Sequence, residues 1–208
     1  MPAIDQFGNE VIQGRSYRWG QIISQVFHPT LNGIAAFLVI GLWGKTGLDL
    51  QHSLWWTVLA IIVMVTPSMM YFRYRLRRGD FSDDDVSLRG ERHKLYGVAL
   101  VSILSGSAVL AALHIPPAFL RLIGGGVAIL VTCALVNLVW KISVHAASVG
   151  ILATVLTLFG GGVGVWFWLV AGMVGWARLR TGNHTVWQVV AGWSVAIVGV
   201  LLAFRIGA

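Results

Sequence analysis

What most constrains this chain is how little of it can face water. Apolar stretches cover Leu31–Trp43, Leu54–Phe72, Leu95–Leu113, Ala118–Trp140, Ile142–Phe159, Val163–Ala177 and Thr185–Phe204, with only short polar breaks between them. Inside a bilayer every backbone N–H and C=O must be paired within its own segment, so such stretches are predicted to be helices of about 20 residues per span. The expected fold is all-α, a polytopic transmembrane bundle of six to seven helices. Only 11% of the side chains are charged and 57% are hydrophobic, against roughly 25% charged in a soluble domain. We therefore expect residues 1–30 to form a polar, amphipathic N-terminal segment and residues 31–208 a single transmembrane domain. The first stretch is short for a span unless Gln21–Thr30 or Gly44–Leu50 extends it. Gly160, Gly161 and Gly162 interrupt an apolar region too long for one helix and predict a tight hairpin.

Cys133 is the single cysteine, which excludes an intramolecular disulfide and a cysteine-built metal site. The opening segment lacks the apolar core of a signal peptide, so insertion is expected to rely on the internal spans. The formal charge of +7 fits a membrane protein better than a nucleic-acid binder, because Lys and Arg gather in cytoplasmic loops and near anionic headgroups. If the spans alternate, Arg15, Arg18, Arg73, Arg75, Arg77, Arg78, Arg89, Arg92, Lys94, Lys141, Arg178 and Arg180 share one side, against Lys45, Arg121 and Arg205 on the other. The positive-inside rule makes the first side cytoplasmic, in an integral protein of the cell membrane.

That same side collects Arg89, Arg92, Lys141, Ser143, His145, Arg178, Arg180 and His184 near span ends. Guanidinium groups bind phosphate oxygens through forked hydrogen bonds, and a helix start near Ser143 would add backbone N–H donors, so the group suits a phosphate. Two imidazoles add chemistry: one can attack phosphorus while the other protonates the departing oxygen, with neither metal nor cofactor.

The spacing resembles the type 2 phosphatidic acid phosphatase superfamily, whose motifs read Lys-x6-Arg-Pro, then Pro-Ser-Gly-His, then Ser-Arg-x5-His-x3-Asp. Here Asp85-x6-Arg92-His93, Ile142-Ser143-Val144-His145 and Ala177-Arg178-x5-His184-x3-Gln188 stand in the same order. The resemblance extends over Asp83 to Gly192, about half the chain, and makes residues 31–208 a phosphatase-like domain. It implies that His184 is the nucleophile that becomes a phosphohistidine, that His145 is the general acid, and that Arg92, Ser143 and Arg178 bind phosphate. Asp85 stands where the family has a phosphate-binding Lys, and Arg89 or Lys141 is expected to supply that cation, Arg89 by preference. Gln188 replaces the family's Asp; it can still orient the imidazole but brings no charge.

The implied activity is a metal-independent membrane phosphatase acting on a lipid phosphate or isoprenyl (di)phosphate, with an isoprenoid substrate favoured. The same site would serve a lipid phosphotransferase. Loss of the family's Lys and Asp equally fits a non-catalytic lipid-phosphate binder or transporter. Arg73, Arg75, Arg77 and Arg78 are read as topology or headgroup anchors, Arg121 as a residue reaching the far interface, and Asp83, Asp84 and Asp85 as an acidic turn in which Asp85 pairs with Arg89. Asn137 is a further candidate for lining the site, Arg180 is given an anchoring role, and His28, His52, His93 and His114 receive none. Substrate tail and oligomeric state are left open.

Overall fold

A computed structural model describes residues 12–81, 86 and 89–205. Among them are eight α-helices: α1 Arg15–Val26, α2 Pro29–Trp43, α3 Leu50–Arg77, α4 Arg92–Ala112, α5 Pro117–Val139, α6 Val144–Phe159, α7 Gly162–Arg180 and α8 Val186–Arg205. Each of the seven apolar stretches corresponds to one helix, α2 to α8. Five of these, α3, α4, α5, α7 and α8, are long and apolar enough to cross a membrane by themselves. The short first stretch gains length as expected from Gln21–Thr30, but through a bend: α1 and α2 meet at 42° and pass as a span only together. Pro29 lies at this break, at the first position of α2, where a proline lacks nothing the helix start would use, whereas inside a continuous helix it would remove a hydrogen bond. Its neighbour His28 caps α2, accepting a hydrogen bond from the Thr30 N–H at Nδ1.

α3 runs further than its apolar stretch. Arg73, Arg75 and Arg77 belong to its last turns rather than to a loop, because Arg is a good helix former and favours a helix C-terminus. The glycine break behaves as expected, with α6 ending at Phe159 and α7 starting at Gly162. Gly161 takes a positive φ of 57° there, and Gly164 lies so close to α6 that a Cβ would run into the Thr157 backbone.

The bundle is organised around α6, which packs against α2, α7 and α8; α5 lies on α8 and α4, α3 joins α2 to α4, and α1 lies along α7. With 16 residues, α6 rises about 24 Å, and α5, with 23 residues, about 35 Å. The difference is taken up by the extended Trp140–Ser143 connection, which carries Lys141, Ile142 and Ser143 into buried positions. A polar strip thereby enters the protein at the start of its most enclosed helix.

Candidate functional site

The strip is held by three neighbouring elements. Ser143 donates its backbone N–H to the Gln188 carbonyl in the first turn of α8, at 3.2 Å. Gly192, one turn later, permits this approach: a Cβ there would lie 2.7 Å from the Ser143 carbonyl oxygen. From α4, the Arg92 guanidinium donates to the Ile142 carbonyl through Nη1 at 3.2 Å and to the Val86 carbonyl through Nε at 2.8 Å. The Lys141 ammonium donates to the Asn183 carbonyl at 2.8 Å in the α7–α8 loop. Three segments that are remote in sequence thus converge on one buried polar cluster.

Arg178 lies in the last turn of α7, wholly buried, and its Nη1 donates to Ser24 Oγ on α1 at 3.0 Å. Its carbonyl accepts the His184 backbone N–H at 3.2 Å. Gly182 turns the intervening loop with φ 71°, a conformation that glycine adopts without strain. Arg92, Lys141, Ser143, His145, Arg178, His184 and Gln188 are all buried, and no Asp or Glu is buried among the described residues.

The protonation of His184 follows from its neighbours. Gln188 Oε1 accepts the Thr185 backbone N–H at 3.2 Å, which fixes the oxygen end of the amide on this side because a backbone amide can only donate. The same oxygen lies 3.0 Å from His184 Nδ1, so Nδ1 carries the proton and Nε2 presents a lone pair. Nε2 is buried and has no hydrogen-bond partner among the described residues. Burial, then the positive fields of Arg92, Arg178 and Lys141, hold this imidazole well below its ordinary range, opposed by the Gln188 hydrogen bond. The result is a neutral imidazole with an available nitrogen beside three cations.

Ser143 caps α6, its Oγ accepting the Ala146 N–H at 3.2 Å. Its hydroxyl hydrogen remains available for an anion, alongside the first N–H groups of the helix. His145 lies in the first turn of α6, its carbonyl accepting from Ser148 Oγ. Its ring stands edge-on to His28, with centroids 5.7 Å apart and planes at 89°.

Arg89 opens a single 3-10 turn over Arg89–Glu91 that leads into α4, so its backbone is one tight turn from Arg92; its side chain, like Asp83, Asp84 and Asp85, lies outside the described residues. Asn137 is fully buried on α5. Arg180 stands over the Trp176 ring at 5.9 Å. Ser24, His28 and Asn183 join the site without having been expected there. Asn183 had a signal, being the residue before His184 in the spacer of its motif. Ser24 and His28 had none, since only the fold brings α1 and the start of α2 to this end of the bundle.

The chain matches no family model, no curated protein and no solved structure.

Proposed function

We propose that the protein is a metal-independent membrane phosphatase acting on lipid phosphates or isoprenyl diphosphates, in the manner of the type 2 phosphatidic acid phosphatases. The observation that carries this reading is the state of His184: Nδ1 is engaged by Gln188, and Nε2 is buried, unprotonated and close to Arg92, Arg178 and Lys141. A positive pocket attracts the phosphate and keeps the nucleophile unprotonated until the anion arrives.

Arg92, Arg178, Lys141 and Ser143 bind the phosphoryl oxygens, with Arg89 as a further cation. His184 Nε2 attacks phosphorus and the bond from phosphorus to the bridging oxygen breaks. His145, entering as the imidazolium, protonates that oxygen, releasing a lipid alcohol or, from a diphosphate, a lipid monophosphate. Water then attacks the phosphohistidine and gives its proton to His145, and the P–N bond breaks to free phosphate and restore Nε2. The excess of Lys and Arg on this side of the bundle supports a cytoplasmic active site.

The test is phosphate release from isoprenyl and glycerolipid phosphates by purified protein in EDTA, together with acid-labile, base-stable labelling of the protein by a radioactive phosphate donor. Release and labelling that both vanish in His184→Ala are expected. A folded wild-type protein that binds lipid phosphates and releases none would instead favour the neutral Gln188 as the mark of a binding or transport site. Transfer of the phosphoryl group to an added alcohol in place of water would identify a phosphotransferase.

A further inference from the structure

A half-open apolar cavity of about 270 Å³ lies between α2, α3, α4, α5 and α6. On α6 its wall is Val144, Ala147, Ser148 and Ile151, a single helical stripe at spacings of three and four. Ser143 and His145 flank Val144 in the chain. On α4 the wall includes Tyr96, one turn after Arg92 and within reach of its guanidinium, and continues to Ile103 about 10 Å further along the helix. The cavity therefore starts beside the cationic pocket and runs away from it into the hydrophobic part of the bundle. Of its polar members, Ser148 Oγ is already engaged with Asn32 Nδ2 and the His145 carbonyl, and the Tyr96 hydroxyl lies at the end beside Arg92. Gly33 and Gly126 both line the space, and a Cβ on either would meet nothing within 4 Å.

We infer that this cavity is the tail subsite of an amphiphile whose phosphate occupies the His184 pocket, and that the substrate is a single-chain lipid phosphate rather than a two-chain glycerolipid. The assignment rests on the phosphate-site reading above and narrows it. At about 30 Å³ for a methylene-sized group, comparable to a water, the cavity holds about nine carbons. That is one alkyl or isoprenyl segment of about ten carbons within the space itself. Anything longer extends between the helices into the bilayer.

The experiment uses the full chain in lipid nanodiscs, which avoids competing detergent tails, and n-alkylphosphonates from butyl to tetradecyl, which cannot be hydrolysed. In wild type the rise in Tm should grow with each carbon to about ten and then level, and Gly126→Leu, which adds four carbons of side chain, should move that break to about six. A matched alkyltrimethylammonium series should give no such rise. Should Gly126→Leu not fold, Gly33→Leu is the second variant. In wild type, Cys133, which lines the same cavity, should be protected from N-ethylmaleimide by decyl but not by butyl phosphonate. A length dependence without a break, the same break in the filled variants, no protection of Cys133, or a two-chain phosphatidate analogue that stabilises as strongly as decyl phosphonate would each overturn the tail assignment. Because phosphonate binding needs no turnover, a protein that shows the break but releases no phosphate retains the tail subsite and loses the phosphatase reading. Phosphate release without the break has the opposite meaning.

Discussion

His184 Nδ1 and Gln188 Oε1 lie 3.0 Å apart across one turn at the start of α8, and the same oxygen takes the Thr185 N–H. The neutral amide performs the orienting half of a carboxylate's task, fixing the tautomer, and omits the electrostatic half. Two substitutions separate these halves. Gln188→Leu removes the acceptor, leaves the Thr185 N–H without it at a cost of about 1–3 kcal/mol, and should lower kcat by at least tenfold. Gln188→Glu keeps the acceptor and adds charge, so it should raise the His184 pKa and move the acidic limb of kcat/KM to higher pH. Phosphate release from pH 5 to 8 distinguishes them, and identical profiles for wild type and Gln188→Glu would remove Gln188 from the account.

His145 should matter in proportion to how poor the leaving group is. An alkoxide needs the proton and p-nitrophenolate does not, so His145→Ala should lower release from an alkyl phosphate by about 10²- to 10⁴-fold and from p-nitrophenyl phosphate far less. Equal losses on both substrates would assign His145 a structural task, such as supporting the ring of His28.

The pH dependence of stability has a definite sign. His184 is held below its unfolded value of about 6.5, so its neutral form is the one compatible with the fold. Above that value neither state binds the proton. As pH falls through it the unfolded chain takes up a proton that the folded chain resists, and stability is lost. Tm should therefore fall between about pH 7 and 5, and less so in His184→Gln. A lipid phosphonate should reverse the tendency, because a bound anion favours the imidazolium.

The helices were legible because bilayer physics leaves an apolar run little choice of structure. The Gly160–Gly162 break, the α7–α8 loop and the seven apolar helices all follow from local composition. The site was legible only where its residues fall within motifs. Arg92, Ser143, Arg178 and His184 could be named from spacing, but the docking of Ser143 on Gln188 and of Lys141 on the Asn183 carbonyl joins segments about 40 residues apart. Ser24 is the extreme case: it reaches Arg178 from 154 positions away, through an amphipathic helix whose sequence suggests only a membrane surface.

That contact makes Ser24 a positioning residue. Arg178 is fully buried, so its fork can bind phosphate only if its remaining donors are directed elsewhere. Removing the hydroxyl in Ser24→Ala leaves a buried Arg178 donor without this partner, at a cost of about 1–3 kcal/mol, and should lower Tm as well as raise KM several-fold. Arg178→Lys keeps charge but loses the fork, and should lower kcat/KM by at least tenfold. A Ser24→Ala protein with unchanged KM would place α1 outside the site's mechanics.

Gly192 tests whether the contact between α6 and α8 must be this close. A methyl there would sit 2.7 Å from the Ser143 carbonyl oxygen and 3.1 Å from the Ala147 nitrogen, both backbone atoms that cannot step aside as a side-chain tip can. Gly192→Ala must therefore push the first turn of α8 away from the α6 N-terminus, stretching the hydrogen bond from the Ser143 N–H to the Gln188 carbonyl. Overpacking of this kind costs about 1–3 kcal/mol, so Tm should drop. The more telling readout is activity in the folded fraction: with His184 as the proposed nucleophile, a displacement of about 1 Å is expected to cost about a hundredfold. By contrast Gly97→Ala on α4, where a Cβ would meet nothing within 4 Å, should leave both unchanged. If Gly192→Ala lost stability but kept its specific activity, the α6–α8 contact would hold the bundle together without setting the geometry of His184.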